Sequence, residues 1–438
     1  MNGLKAIVVL LGIFVLAQLT AWPYLDELTF VLVGFVLVAY VWSRLAVAGL
    51  TVERYVSGDR FQVGQDIHEE ITVTSASFLP KLWLEVVDGS TLPRHRAGRV
   101  FNMARHGEVS WMTDSSAVRR GRFRLGPTVI RAGDPFGLFP RERRFDASRE
   151  VVVYPAVAES QGYSPPAGLL SGGAVSASRG STTTSNVAGI REYVVGDPQN
   201  RISWSASARR GTLMVKELEF DPSSDVWIVL DLDRSTHIAA VYSDDWPDWP
   251  DWRAPPVPWL DSTEEYAVSA AASLSSWLLA SGRSVGLVCT NDVRAVIHPE
   301  RGQHQQLRIL ETLAVVQADG SKRLAESIIE EARRFTGPSA IVVVTASTDP
   351  DWVGVLAEVA GRSARAGAVL IEPDSFGPAP AVERVTDALG GVAIRSHLVA
   401  CGDLIGDALA GPGVDGIGRT AISRTGRLMA VKGRPDGQ

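Results

Sequence analysis

The chain has 438 residues, 45% hydrophobic and 21% charged, with a formal net charge of −6. That length and apolar content suffice for two or three domains with real cores and exclude a disordered or repeat chain. The weak negative charge argues against nucleic acid as a partner, since phosphate binding needs a concentrated basic surface.

Residues 6–22, "AIVVLLGIFVLAQLTAW", carry no charge, and "LTFVLVGFVLVAYVW" (28–42) repeats the pattern after a short "PYLDE" link. Two such runs predict a transmembrane helical hairpin over residues 1–46. No small-residue cleavage site precedes Pro23, which argues against a cleaved signal peptide. Lys5 precedes the first run and Arg44 follows the second, while Asp26 and Glu27 occupy the link. By the positive-inside rule the chain is expected in the inner (plasma) membrane with both termini cytoplasmic. The two cysteines, Cys289 and Cys401, lie in or beside apolar segments. They read as core residues in a reducing compartment and not as a disulfide.

From 50 to 158 the pattern becomes short alternating runs such as "HEEITVTSAS", "KLWLEVVDGS" and "REVVVYPAV", which predict an antiparallel β-domain of sandwich type. Between Arg94 and Arg149 there are 13 arginines against 5 acidic residues, a face able to attract anionic lipid or an acidic partner. "DPFGLF" (134–139) reads as a tight turn returning an aromatic pair to the core. Residues 159–188, rich in Ser, Gly, Thr and Ala, read as a linker or long surface loop.

The segment 189–410 reads as one α/β domain, followed by a tail over 411–438. It opens with a helix starting at Asp197-Pro198 and stopping at Gly211, and "TLMVKELEF" is expected as an edge strand leading into "VWIVLDLD". Apolar strands at "VWIVLDLD", "SVGLVCT", "SAIVVVTAS", "AVLIEP" and "VAIRSHL" then alternate with helices, among them "DWVGVLAEVAGRSARAG". Such alternation predicts a parallel, doubly wound sheet. No G-x-G-x-x-G follows the first strand and no Walker A sequence occurs, which argues against those nucleotide enzymes.

"REYVVGDPQNRISWSASARRGTLMVKELE", followed by an apolar strand ending in Asp, resembles the signature of the domain of unknown function 58 family. "RGRFRLGPTVIRAGDPFGLFPRERRFDASREVVVYP" resembles the β-region that precedes it there. The resemblance covers about residues 1–410. It implies a von Willebrand factor A-like C-terminal domain, no established enzymatic activity, and work alongside a MoxR-type AAA+ ATPase in assembling or maturing other proteins. It points to Arg191, Asp197, Arg201 and Trp204 of the signature as partner-binding residues.

Von Willebrand A domains can hold a divalent cation such as Mg2+ through D-x-S-x-S with a later Thr and Asp. Here the loop reads Asp231-Leu232-Asp233-Arg234-Ser235, so the middle Ser is replaced by a second carboxylate, which weakens the pull of a bound ion on an external acid. Ser321 would stand for the Thr, Thr345-Ala346 occupies the place expected for the Asp, and Asp349 is a distant substitute. The bland alternative keeps Asp231 and Asp233 as loop-capping residues that hydrogen-bond backbone and Arg234, on a sheet that binds a partner without a metal. Either way the crevice at the carboxyl ends of the strands is the expected contact surface.

Beside it "SDDWPDWPDWRAPPVPWLD" (243–261) offers Trp246, Trp249 and Trp252 as anchors for a protein partner, or folds back over its own domain. His237, His298 and His304 have no metal-ligand spacing, and no nucleophile elbow occurs. The sequence thus points to a membrane-anchored adaptor and away from an enzyme. A membrane-bound hydrolase near the cell envelope and a lipid-surface structural protein are the alternatives.

Overall fold

A computed structural model of the chain describes residues 2–20, 23–158, 187–192, 203–218, 225–239, 262–335, 339–411, 420–422 and 428–430. They fall into two compact units, the first of residues 1–158 with 240–272 and 307–317, the second of 159–239, 273–306 and 318–438.

The first unit opens with helices α1 (Asn2–Thr20) and α2 (Pro23–Ala46). Among the described helices only the stretch Tyr24–Ala46 is long and apolar enough to cross a membrane, and the apolar part of α1, Lys5–Leu19, is shorter. Where two spans were expected, there is one candidate span. Phe30, Val31, Leu37 and Val38 of α2 are exposed. The carboxyl end of α2 is capped by cations, as the helix dipole favours. The buried Lys81 donates from Nζ to the carbonyls of Leu45 and, at 3.0 Å, Ala48, and Arg143 donates to the carbonyl of Val47 at 3.3 Å. Burial pushes the Lys81 ammonium below its ordinary range.

Ten strands follow: β1 (Leu50–Val56), β2 (Arg60–Gln62), β3 (Asp66–Ser75), β4 (Lys81–Asp88), β5 (Arg99–Met103), β6 (Glu108–Ser116), β7 (Gly121–Leu125), β8 (Thr128–Ala132), β9 (Arg141–Phe145) and β10 (Arg149–Tyr154). They form sheets of order β1-β3-β6, β5-β4-β8-β9 and β2-β10-β7. Every pairing is antiparallel but that of β10 with β2. The period-two pattern of β3 turns Ile67, Glu69, Ile71 and Val73 inward. Ile71 and Val73 meet Leu50, Leu84, Trp111 and Ile130 in one core; Ile67 meets Phe61, Leu125 and Val153 in another.

Glu69, carried inward by this alternation, meets a buried ionic cluster. Arg54 pairs with Glu69 at 2.7 Å and with Asp88, and donates to Thr128 Oγ1 at 3.0 Å. His95 Nε2 lies 3.1 Å from Asp88 and 3.3 Å from Glu69, while its Nδ1 is 2.8 Å from Ser115 Oγ. Burial pushes Glu69 up against the pull of Arg54 and His95. Burial also pushes Asp88 up, but hydrogen bonds and charge from His95 and Arg54 outweigh it and hold that carboxyl below its usual range.

In the second unit β11 (Val187–Glu192) pairs antiparallel with β12 (Met214–Leu218), and α3 (Trp204–Arg210) lies between them in sequence. β12 therefore belongs to a separate two-stranded sheet instead of leading an edge into the main one. The main sheet has six strands, β13 (Val226–Leu230), β14 (Val285–Cys289), β15 (Val296–Glu300), β16 (Ser339–Thr345), β17 (Ala364–Ile371) and β18 (Arg395–Val399), in the order β15-β14-β13-β16-β17-β18. Five are parallel, with Ile228 of β13 facing Leu287 and Val342 on its two neighbours. β15 runs antiparallel at the edge, so the expected parallel sheet is a mixed one. Trp227, Ile341, Val343, Trp352, Leu370 and Leu389 share its core. Helices α4 (Thr263–Ala280), α5 (Gln303–Val315), α6 (Leu324–Glu331), α7 (Asp351–Ser363), α8 (Glu383–Gly391) and α9 (Ile405–Ala410) alternate with the strands. α7 ends at Ser363, and the "ARAG" expected to continue it opens β17 instead.

The start of α4 and the end of α5 fall in the first unit, where they receive the buried Arg120 from the loop before β7. Its guanidinium donates to the carbonyls of Leu313 at 3.0 Å and Val316 at 2.7 Å, to Glu264 at 2.6 Å and to Glu265.

Candidate functional site

In the main sheet the strand order reverses at β13, and in such sheets ligands bind outside the carboxyl ends of the strands at that switch point. Asp231 follows the fully buried run of β13 and is 0% exposed. Its Oδ2 accepts the Thr345 hydroxyl at 2.6 Å from the end of β16, and its Oδ1 accepts the Thr290 hydroxyl at 3.4 Å and the Asp233 amide at 3.2 Å. The two hydroxyls are themselves fixed by accepting amides, Thr345 from Ser347 and Thr290 from Leu232, both at 2.8 Å. His237 donates from Nε2 to the Asp231 carbonyl at 2.9 Å. Burial pushes the Asp231 carboxyl above the usual range, against the Thr345 hydrogen bond and His237, which pull it down.

Asp233 accepts both the amide and the hydroxyl of Ser235 at 2.9 Å, a local Asx turn. The loop after β13 is stitched to the segment before α6. Gly320 donates to the Leu232 carbonyl at 3.0 Å, and Arg234 donates back to Gly320 at 2.9 Å. A Cβ on Gly320 would lie 2.6 Å from the Thr290 carbonyl and 2.8 Å from that of Leu232, so only glycine permits this approach. Beside it, a cleft of about 90 Å³ is lined by Thr290, Asn291, Asp292, Arg294, Ser321 and Lys322 among others. Ser321 donates to Asp292 Oδ1 at 3.0 Å, and Val293, at the tip of the β14–β15 turn, is 84% exposed.

Asp231, Asp233 and Ser235 thus share one loop, while Ser321 turns toward Asp292. Both Asp231 oxygens and the Asp233 Oδ1 accept hydroxyls and amides of their own surroundings. Among the described residues no three His, Cys, Asp or Glu side chains converge as a metal-binding group. Asp349 accepts the Asp351 amide at 3.1 Å and caps the start of α7. Asp231 and Asp233 are both buried.

Of the signature residues, Trp204 starts α3 and is 68% exposed, and Arg191 lies on β11. The helix stops at Gly211, whose φ of 73° supplies the left-handed cap and whose amide bonds the Ser207 carbonyl. Asp197, Arg201, Trp246, Trp249 and Trp252 lie outside the described residues. Sequence reasoning missed Thr290, Asn291 and Asp292, whose polar cluster ahead of β15 was the available signal. It also missed the chain Ser115–His95–Asp88, formed of residues scattered over three segments. That chain has the hydroxyl, imidazole and carboxylate of a hydrolase, but all three side chains are buried, His95 and Asp88 within the ionic cluster of the β-domain.

These features define a chain with one candidate membrane helix, a β-domain and a mixed α/β sheet with a polar, knitted rim. The model of a family described as "Protein of unknown function DUF58" matches residues 189–244. The uncharacterized protein YeaD of Bacillus subtilis (strain 168) is 25% identical over 249 residues, 56% of this chain and 55% of that protein, so the chain spans about half the length of this relative. Together the two matches support membership of the DUF58 family. Among solved structures, the CARDB domain of the PF1109 protein from Pyrococcus furiosus is 14% identical with a TM-score of 0.19, covering 24% of this chain and 91% of its own. The C-terminal domain of wzt is 12% identical with a TM-score of 0.19, covering 25% and 75%. Likenesses at this level do not define the fold.

Proposed function

We propose that this protein is a membrane-anchored adaptor that offers the rim of its α/β sheet to a protein partner and performs no bond-breaking there. The anchor is α1 with α2, both ends on the cytoplasmic side of the inner membrane, a reading supported by Lys5 and Arg44 flanking the apolar runs. The strand order with an antiparallel edge supports a von Willebrand A-like reading of the sheet. The observation that carries the adaptor reading is the rim itself: three loops locked together around the Asp231 carboxyl and Gly320, with Val293 projecting beside a polar cleft. A rigid, partly apolar rim with satisfied internal hydrogen bonds suits docking. The family resemblance directs the search for a partner to a MoxR-type AAA+ ATPase. The hydrolase alternative would need a substrate carbonyl to reach Ser115 inside the β-domain.

A photo-crosslinking residue at Val293 in the full chain, irradiated in native membranes, is expected to capture a discrete AAA+ ATPase. The same probe at Val392, also exposed, is the comparison. Identical cross-links from both positions would remove the rim as the contact surface.

A further inference from the structure

The turn "DPFGLF" does not return its aromatic pair to the core. Phe136 is 59% exposed and Phe139 only half-buried, and both lie along α2: the Phe136 ring is 4.4 Å from Phe35 and the Phe139 ring 5.6 Å from Tyr40, centroid to centroid. β9 continues the same track toward the carboxyl end of the helix. Arg141 donates to Ser43 Oγ at 3.4 Å and lies 5.7 Å over the Tyr40 ring, and Arg143 reaches Val47. Arg44 completes a belt of guanidinium groups by donating to the Tyr40 hydroxyl at 2.9 Å. From Ser43 back to Phe35 is eight residues, about 12 Å of helix. The loop therefore reaches well down an apolar helix from a cationic collar.

Its backbone amides need no water. Pro135 and Pro140 have no N–H. Every amide between them is spent on Asp134, which is buried: Phe136 at 3.1 Å and Leu138 at 3.2 Å on Oδ2, Phe139 at 2.6 Å on Oδ1, and Gly137 at 3.1 Å on the carbonyl. Gly137 has a φ of 71°, which the turn requires. A loop at an aqueous surface has no need to satisfy all its donors internally, whereas unpaired backbone donors become costly toward the apolar side of a membrane interface.

We infer that residues 134–140 form a wedge that dips into the acyl region of the bilayer beside α2, with Arg44, Arg141 and Arg143 at the level of anionic headgroups. The occupant of this apolar surface is lipid. The depth suits an interfacial element buried 5–10 Å below the headgroup boundary, and the collar suits the negative surface of the cytoplasmic leaflet. This inference rests on α2 lying in the membrane. It adds a second contact that limits the rotation and tilt of the β-domain on the bilayer, which the anchor helices alone would leave free.

The test uses the full chain in vesicles of phosphatidylcholine and phosphatidylglycerol, with an environment-sensitive fluorophore on a single introduced cysteine. Phe136→Cys, Phe30→Cys on α2 and Met112→Cys on β6 are made on a Cys401→Ser chain, with the buried Cys289 left in place. Lipids brominated at mid-chain should remove most of the emission at positions 30 and 136 and leave 112 bright. Aqueous iodide should quench 112 several-fold more than 136. If 30 responds to bromolipid but 136 does not, the wedge is refuted while the anchor stands. If 136 is shielded from iodide yet blind to bromolipid, another protein or copy covers it, and the inference fails. If neither 30 nor 136 responds, the membrane reading fails with it.

Discussion

Replacing Asp231 by alanine removes the acceptor shared by the Thr345 hydroxyl, the Thr290 hydroxyl and the Asp233 amide. The hydroxyls cannot swing away freely, because each still accepts a backbone amide, from Ser347 or Leu232. A buried donor left without a partner costs about 1–3 kcal/mol. Relief from burying an acid offsets part of this, leaving a net loss of about 3 kcal/mol, on the order of 100-fold in the open population. Cys289, buried at the end of β14 beside β13, reports that opening. In a Cys401→Ser background under conditions where reclosing outpaces reaction, its alkylation rate tracks the free energy of exposure. Asp231→Ala should speed labelling about 100-fold. Asp231→Asn keeps the shape and one acceptor, loses about 1 kcal/mol, and should speed it about fivefold. A labelling rate for Asp231→Ala within about twofold of the parent would show that Asp231 does not lock the switch point.

Arg54→Met would leave Glu69 and Asp88 buried with the imidazole of His95 as the side chain between them and, for Asp88, the Ser90 amide. Breaking such a cluster costs about 3–5 kcal/mol, so amide hydrogen exchange in β3 and β4 should accelerate by more than 100-fold, and unchanged protection would overturn the assignment. His397 of β18 is held below the ordinary imidazole range, chiefly by burial, with the Arg395 charge adding to it and a bond to Ala408 opposing. The folded state therefore binds fewer protons than the unfolded one. Its contribution is complete above about pH 6.5 and is lost as pH falls through the folded value. The urea midpoint of the α/β unit, read by pulse proteolysis, should drop between about pH 7.5 and about pH 5.5, and an identical slope in His397→Gln would refute that origin.

The elements legible in the sequence were those whose burial is complete. β13, β14 and β16 are unbroken apolar runs, and a strand buried on both faces has no other way to be written. The stop at Gly211 was legible because a left-handed cap selects its residue. β9, "RERRF", was not, since a half-exposed strand of arginines carries no apolar signal. "ARAG" read as helix because its composition favours helix, and pairing with Ser339–Thr345 decides otherwise. At the rim, Asp231 was singled out for the right loop, but its burial depends on Thr290 and Thr345, 59 and 114 residues away. The ionic cluster of the β-domain was equally hidden, because Arg54 and Asp88 are 34 residues apart on different strands. The aromatic turn was misplaced for another reason: composition marks Phe136 as apolar without saying which apolar surface it meets.

Arg120 sets an order of events during synthesis. Its acceptors, on α4, on α5 and just past the end of α5, lie between 144 and 196 residues further along the chain. Until the ribosome has passed Glu264 the guanidinium has none of them and keeps its hydration, and the set is complete only once Val316 is made, so the loop before β7 closes late. A fragment ending at residue 158 would carry that defect permanently, and the β-region taken alone should be soluble only with its arginine loop open to water.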